Sequence, residues 1–161
     1  MKYKLTTILL FVLLSNINAN ELKIKANSFK SDENIGVSIF TGKVNIQKSN
    51  DELNASKVIV HTDKENKPTK FVATGNVSFT IQTENNKTYV GVAQKAIYFP
   101  NIKEYHFFKD VHLQQVDEKK EIIGDEVVLK IQEGKAFAKG IESKPVIMVF
   151  DIAENNETKE K

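Results

Sequence analysis

The chain contains no cysteine, which excludes disulfides, thiolate metal sites and lipid attachment through a thiol. It contains no arginine either, so all 23 of its Lys-plus-Arg residues are lysine. Nucleic-acid binders usually combine a basic excess with Arg forks for phosphates and guanine edges, and that class is poorly matched. Any phosphate contact has to come from Lys acting as a point charge. GxSxG, P-loop and HExxH patterns are all missing, and nothing suggests an enzyme or a resident cofactor. No segment sustains an apolar stripe at helical spacing for three turns. The longest apolar run, Ile8 to Leu14 (ILLFVLL), is far short of the roughly twenty residues that a membrane-spanning helix needs.

What is present at the N-terminus sets the compartment. Lys2 and Lys4 precede the apolar run, polar residues follow it, and Asn18-Ala19 ends the stretch on a small residue. That order predicts a secretory signal peptide over residues 1–19, cleaved after Ala19, with retention as an anchor as the alternative. The mature chain would run from Asn20 to Lys161, a length that suits one domain with a real core. Losing Lys2 and Lys4 leaves 21 Lys against 21 Asp plus Glu, so the mature chain is neutral. Residues 153–161 are polar and charged, and are expected to form a disordered tail behind a domain spanning 20–152.

Short runs rich in Val, Ile, Phe and Tyr alternate with polar residues through the rest of the chain. Val44 to Gln47, Val77 to Gln82 and Val111 to Gln114 alternate strictly; Val127, Leu129 and Ile131 share one face, with Val128 and Lys130 on the other. Ser49–Asp51, Lys64–Pro68, Glu84–Lys87 and Asp117–Lys120 read as turns. A turn is also expected at Lys109-Asp110. Counting runs between breakers predicts about a dozen to sixteen short strands.

Two elements repeat along the chain and interleave. Thr41-Gly42-Lys43-Val44 recurs as Thr74-Gly75-Asn76-Val77, then as Phe108-Lys109-Asp110-Val111 with Lys109 in the Gly position, and weakly as Lys139-Gly140-Ile141. Between these copies, Leu53 to Val60 (LNASKVIV) is echoed at Val92 to Tyr98, at Ile123 to Leu129 and at Ile24 to Phe29. In each echo a small residue stands three positions before an apolar one. That odd step breaks the period of two and predicts a bend or bulge, with the small residue giving the backbone room. Units of this kind, stacked side by side, make two facing β-layers around an apolar interior.

Leu53–Val60 (LNASKVIV), Thr74–Val77 (TGNV), Leu113–Asp117 (LQQVD) and Gly124–Val127 (GDEV), in this order, resemble signature segments of the LptA/OstA domain. The resemblance covers about Glu21 to Phe150. It implies an all-β fold, a long open antiparallel β-jellyroll whose apolar interior holds lipopolysaccharide acyl chains in the Gram-negative periplasm. It also implies partners: an inner-membrane extractor component and an outer-membrane translocon with like jellyrolls, bridged by head-to-tail self-association. A membrane-anchored relative of the LptC type, and a closed structural β-sandwich without ligand, are the alternatives.

On that reading the lipid groove is lined by Val44, Ile46, Val58, Val60, Val77, Phe79, Ile81, Val111, Leu113, Val127, Leu129 and Ile131, joined by Phe71 and Tyr98, which match family positions near the groove. The same positions would equally fill a closed sandwich core. The edges expected to pair with another chain are Leu22 and Ile24 at one end and Val146, Met148 and Phe150 at the other. His61, His106 and His112 are expected at the surface, and no carboxylate lies at a spacing that suggests a metal site. Asp110, Asp125 and Glu126 read as turn and strand-edge residues rather than an acid/base pair.

Overall fold

The alternating pattern produces strands along the whole of the region that the computed structural model describes, residues 21–152. The expected signal peptide (1–19) and tail (153–161) lie outside it. The strands are β1 (Leu22–Lys25), β2 (Ser28–Asp32), β3 (Val37–Lys48), β4 (Asp51–Thr62), β5 (Pro68–Gln82), β6 (Thr88–Phe99), β7 (Glu104–Gln115), β8 (Lys120–Lys130), β9 (Lys135–Lys139) and β10 (Ile147–Val149). All pairings are antiparallel, in the order β1-β3-β4-β5-β6-β7-β8-β10, with β2 on β3 and β9 on β8. This is an open β-jellyroll, and among the described residues it contains no helix.

Ten strands replace the dozen to sixteen expected, because β3 to β8 are 11 to 15 residues long and pass through the bend without ending. Register shifts mark the bend at Thr41/Val44, Asn54/Lys57, Thr74/Val77, Val92/Lys95 and Phe108/Val111. At each of them the odd-numbered strand carries one residue more than its even-numbered neighbour, the geometry of a β-bulge. The five bulges form a line across the sheet that folds it into two layers. The front layer holds β2, β9 and residues 37–41, 57–62, 68–74, 95–99, 104–108 and 126–130. The back layer holds β1, β10 and the remaining halves of β3 to β8.

The repeats are this corner. Gly42, Gly75 and Lys109 have φ of 79°, 81° and 62°, and Lys43, Asn76 and Asp110 follow them at 47°, 47° and 50°. Lys109-Asp110 is therefore a bulge inside β7 rather than the expected turn. It occupies the Gly position with a residue that is strained there. On the even strands the odd step appears as Ala55 and Val58, Ala93 and Ala96, and Gly124 and Val127, all facing inward. Ser56 crosses the corner to donate its Oγ–H to the Gly75 carbonyl at 3.1 Å. A Cβ on Gly75 would stand 2.8 Å from that oxygen.

Packing is tightest along the fold line, where Val44, Val58, Val77, Val111 and Val127 are at most 1% exposed. The four turns read from Gly-poor polar clusters form at 49–50, 63–67, 83–87 and 116–119. Further turns form at 33–36, 100–103 and 131–134.

Candidate functional site

Away from the corner the two layers diverge, and their free ends form two lips. The back lip carries the turns at 49–50, 83–87 and 116–119; the front lip carries those at 63–67 and 100–103. Between the layers lies a cavity of about 320 Å³. The back layer contributes Leu22, Ile46, Leu53, Phe79 and Ile81 to its wall, and the front layer Pro68, Phe71, Tyr98, Pro100, Tyr105 and Phe107. Lys48, Asp51 and Glu52 stand at its rim.

Aromatic rings shape this chamber. Tyr98 and Tyr105 stack at 4.2 Å on adjacent strands, and Phe71 stands 6.1 Å from Tyr98. Phe79 reaches across from the back layer to stack on Phe107 at 4.1 Å. Gly91, opposite Phe79 in register, makes room for the ring: a Cβ there would lie 2.6 Å from Phe79 Cζ. Burial raises the Tyr98 phenol above its usual range and the Tyr105 phenol well above it, so both are neutral hydroxyls at physiological pH.

A second, more polar cavity of about 440 Å³ adjoins the first, sharing Lys48, Asp51, Ile81, Tyr98 and Tyr105. It runs out between the lips, where Lys103 of the front lip pairs with Glu84 of the back lip. Glu84 is held below the ordinary carboxylate range, chiefly by the hydrogen bond from Lys103. Asp51 behaves in the opposite way: burial raises its pKa, only partly offset by the Gln82 backbone N–H that donates to its Oδ1 at 2.8 Å and by the charge of Lys48.

Every residue assigned to the groove from sequence faces the interior, yet they divide into two groups. Ile46, Phe71, Phe79, Ile81 and Tyr98 line the first cavity, and Ile131 the second. Val44, Val58, Val60, Val77, Val111, Leu113, Val127 and Leu129 are buried in closed packing, away from both cavities. Leu53, Tyr105, Phe107 and the two prolines were missed. Tyr105 and Phe107 share the parity of Val111 and Leu113, a signal hidden by the turn assumed at Lys109-Asp110.

His61 and His106 are half-buried and His112 is exposed. His106 Nε2 lies 2.5 Å from Glu104 Oε1, and His112 Nε2 lies 3.1 Å from Glu121 Oε2. Asp110 pairs with Lys144 at 2.7 Å, tying the corner of β7 to the segment between β9 and β10. Among the described residues no three His, Asp or Glu side chains are placed to hold a metal.

Residues 23–135 match the family model described as LptA/(LptD N-terminal domain) LPS transport protein. The chain belongs to this LptA family. A family member need not be close in sequence, and comparison with curated proteins finds no match. Among solved structures, the LptA-family fold recurs in LptH of Pseudomonas aeruginosa, the LptA-homologous periplasmic component of its lipopolysaccharide transport device. The two share 15% identity and superpose with a TM-score of 0.72 over 83% of this chain and 96% of that one. At that identity the likeness speaks for the fold alone.

The two ends of this LptA-family sheet are edge strands. Leu22 and Ile24 lie on β1, with Leu22 exposed and Ile24 packed against the core. Met148 lies on β10, with Val146 and Phe150 flanking it, all three exposed. β2 and β9 extend the same two edges along the front layer.

Proposed function

We propose that this protein is exported to the periplasm and carries lipopolysaccharide by its acyl chains, without catalysing a reaction. The observation behind this reading is an apolar chamber, walled by Leu53, Phe71, Phe79, Tyr98 and Phe107, that opens between two lips of a jellyroll of the LptA family. An acyl chain of about twelve methylenes costs on the order of 10 kcal/mol to expose to water, at about 0.8 kcal/mol each. A chamber that takes such chains removes that cost. Its volume of about 320 Å³ is at the small end of ligand pockets, near ~300–1,000 Å³, so a multi-acyl lipid would need the lips to part further.

Successive jellyrolls offering like chambers would pass the lipid on without a deep well, because binding energy cancels between donor and acceptor. Such a series is formed edge to edge, from β1 of one copy to β10 of the next, and by the same edges to an inner-membrane extractor and an outer-membrane translocon. The driving energy comes from a partner.

Photocrosslinking in living cells tests this reading. A photoreactive residue in place of Phe71 should yield an adduct with lipopolysaccharide, and the same residue in place of outward-facing Ser78 should not. Equal yields, or none from Phe71 in a folded protein, would remove the chamber as the lipid site.

A further inference from the structure

The two outer faces of the jellyroll differ in chemistry. On the back layer the central row reads Asn45, Asn54, Ser78, with Asn45 Nδ2 donating to Asn54 Oδ1 at 2.9 Å and to Glu52 Oε1 at 2.7 Å. It turns apolar only at Val92, Ile123 and Ile147, near β10. That is the usual wet face of an antiparallel sheet.

The front layer does not follow this rule. Ile39, Ile59, Val72, Ile97, His106, Val128 and Phe137 are direct cross-strand partners in an unbroken row over seven strands. All point outward, since their strand neighbours Val58, Ala73, Ala96, Phe107 and Val127 are buried. No other element among the described residues packs on this face. Phe137, at its end, is 54% exposed.

Lysines outnumber acids beside the row. Lys57, Lys95 and Lys139 lie on its corner side, and Lys70, Lys130 and Lys135 on its lip side, against Asp32, Glu104 and Glu126, with Lys130 paired to Glu104 and Lys135 to Glu133. The Lys95 ammonium lies over the Phe108 ring, 5.5 Å from its centroid, on the outer surface of the front layer. A largely apolar stripe flanked by an excess of lysine, with Lys57, Lys95 and Lys139 on its corner side, matches the layered chemistry of an anionic membrane surface, acyl boundary in the middle and headgroups beside it. The lack of arginine favours a diffuse anionic surface over a partner protein's carboxylates, which are best met by bidentate guanidinium forks.

We propose that the outer face of the front layer docks on an anionic lipid surface, with the Ile39–Phe137 row against the acyl boundary and the flanking lysines among the headgroups. The inference does not depend on what the internal chamber carries. Docked in this way, the front lip with Pro68 and Pro100 lies close to the membrane.

The chain has no tryptophan, so a single one reports locally. The full-length Phe137→Trp protein should show blue-shifted emission and quenching by vesicles of brominated phosphatidylethanolamine with about 30% phosphatidylglycerol. Ser78→Trp, on the back face, should show neither. Adding Lys95→Gln and Lys139→Gln, both at the surface, should weaken the Phe137→Trp response by roughly 30-fold at low salt, at about 1 kcal/mol per lysine. Raising the salt should weaken it further. Equal quenching at both positions, equal response to neutral phosphatidylcholine vesicles, or indifference to the two lysines would overturn the proposal. So would no quenching at all, including where the face is covered by another protein.

Discussion

Phe79 and Phe107 stack at 4.1 Å with their planes 16° apart, although their strands are not neighbours in the sheet. Phe79 stands in the back half of β5 and Phe107 in the front half of β7, with β6 between them. Their contact is the closing of one layer on the other, where the core ends and the chamber begins. Each Phe→Ala change should cost about 3–5 kcal/mol. The pair should couple by about 0.5–1.5 kcal/mol beyond area burial. A double-mutant cycle from urea denaturation measures this, and strictly additive costs would refute the contact.

The corner makes an opposite-signed pair of predictions. Lys109→Gly should stabilise the fold by about 0.5–1 kcal/mol, the left-handed penalty of about 1–2 kcal/mol less the extra entropy that glycine loses. Gly75→Ala should destabilise it by about 1–3 kcal/mol, because φ is +81° and the new Cβ meets Ser56 Oγ. Thermal denaturation of the two variants reads both signs, and a stabilised Gly75→Ala would show that the corner is not strained as described.

Asp51 predicts a pH effect. Its folded pKa is raised above the ordinary value by burial, so the fold favours the protonated acid. Its contribution is present below the unfolded pKa and is lost as pH rises through the folded one. Asp51→Asn keeps an acceptor for the Gln82 N–H and removes the charge. The variant should match or exceed wild-type stability at pH 7, and should lose the decline that wild type shows as pH rises above the ordinary carboxylate range. Denaturant midpoints across that range check it; an unchanged profile would mean that Asp51 titrates as if exposed.

Charging both edges should prevent end-to-end association. Leu22→Lys and Met148→Lys sit at exposed positions of β1 and β10, so each protomer should stay folded. Wild type should associate with rising concentration in sedimentation velocity, as expected of a heterologous contact, and the double variant should remain monomeric. A wild type that stays monomeric at high concentration would leave only pairing with other jellyrolls.

Period-two alternation and the interleaved repeats were enough to read two facing β-layers, because side-chain parity is local: a strand shows its two faces in its own residues; the jellyroll itself was read from the family resemblance. The odd step from Ala55 to Val58, and its echoes at Ala93 and Gly124, even located the corner. Strand length was not legible, since a bulge and a turn use the same residue types, and Lys109-Asp110 looks like either. Parity also could not separate the closed core from the chamber. Val58 and Phe71 both face inward, but only the divergence of the layers away from the corner leaves Phe71 beside open space.

The sequence by itself determined the two-faced alternation of the strands and the step at which the even-numbered strands bend, both consequences of local backbone chemistry. Only the tertiary structure decided which inward residues meet across the layers, as Phe79 meets Phe107, and which outward residues line up into the Ile39–Phe137 row. Those depend on register handed from strand to strand across the sheet, from Ile39 to Phe137 along the row, and register is set by the summed packing of the whole sheet rather than by any one segment.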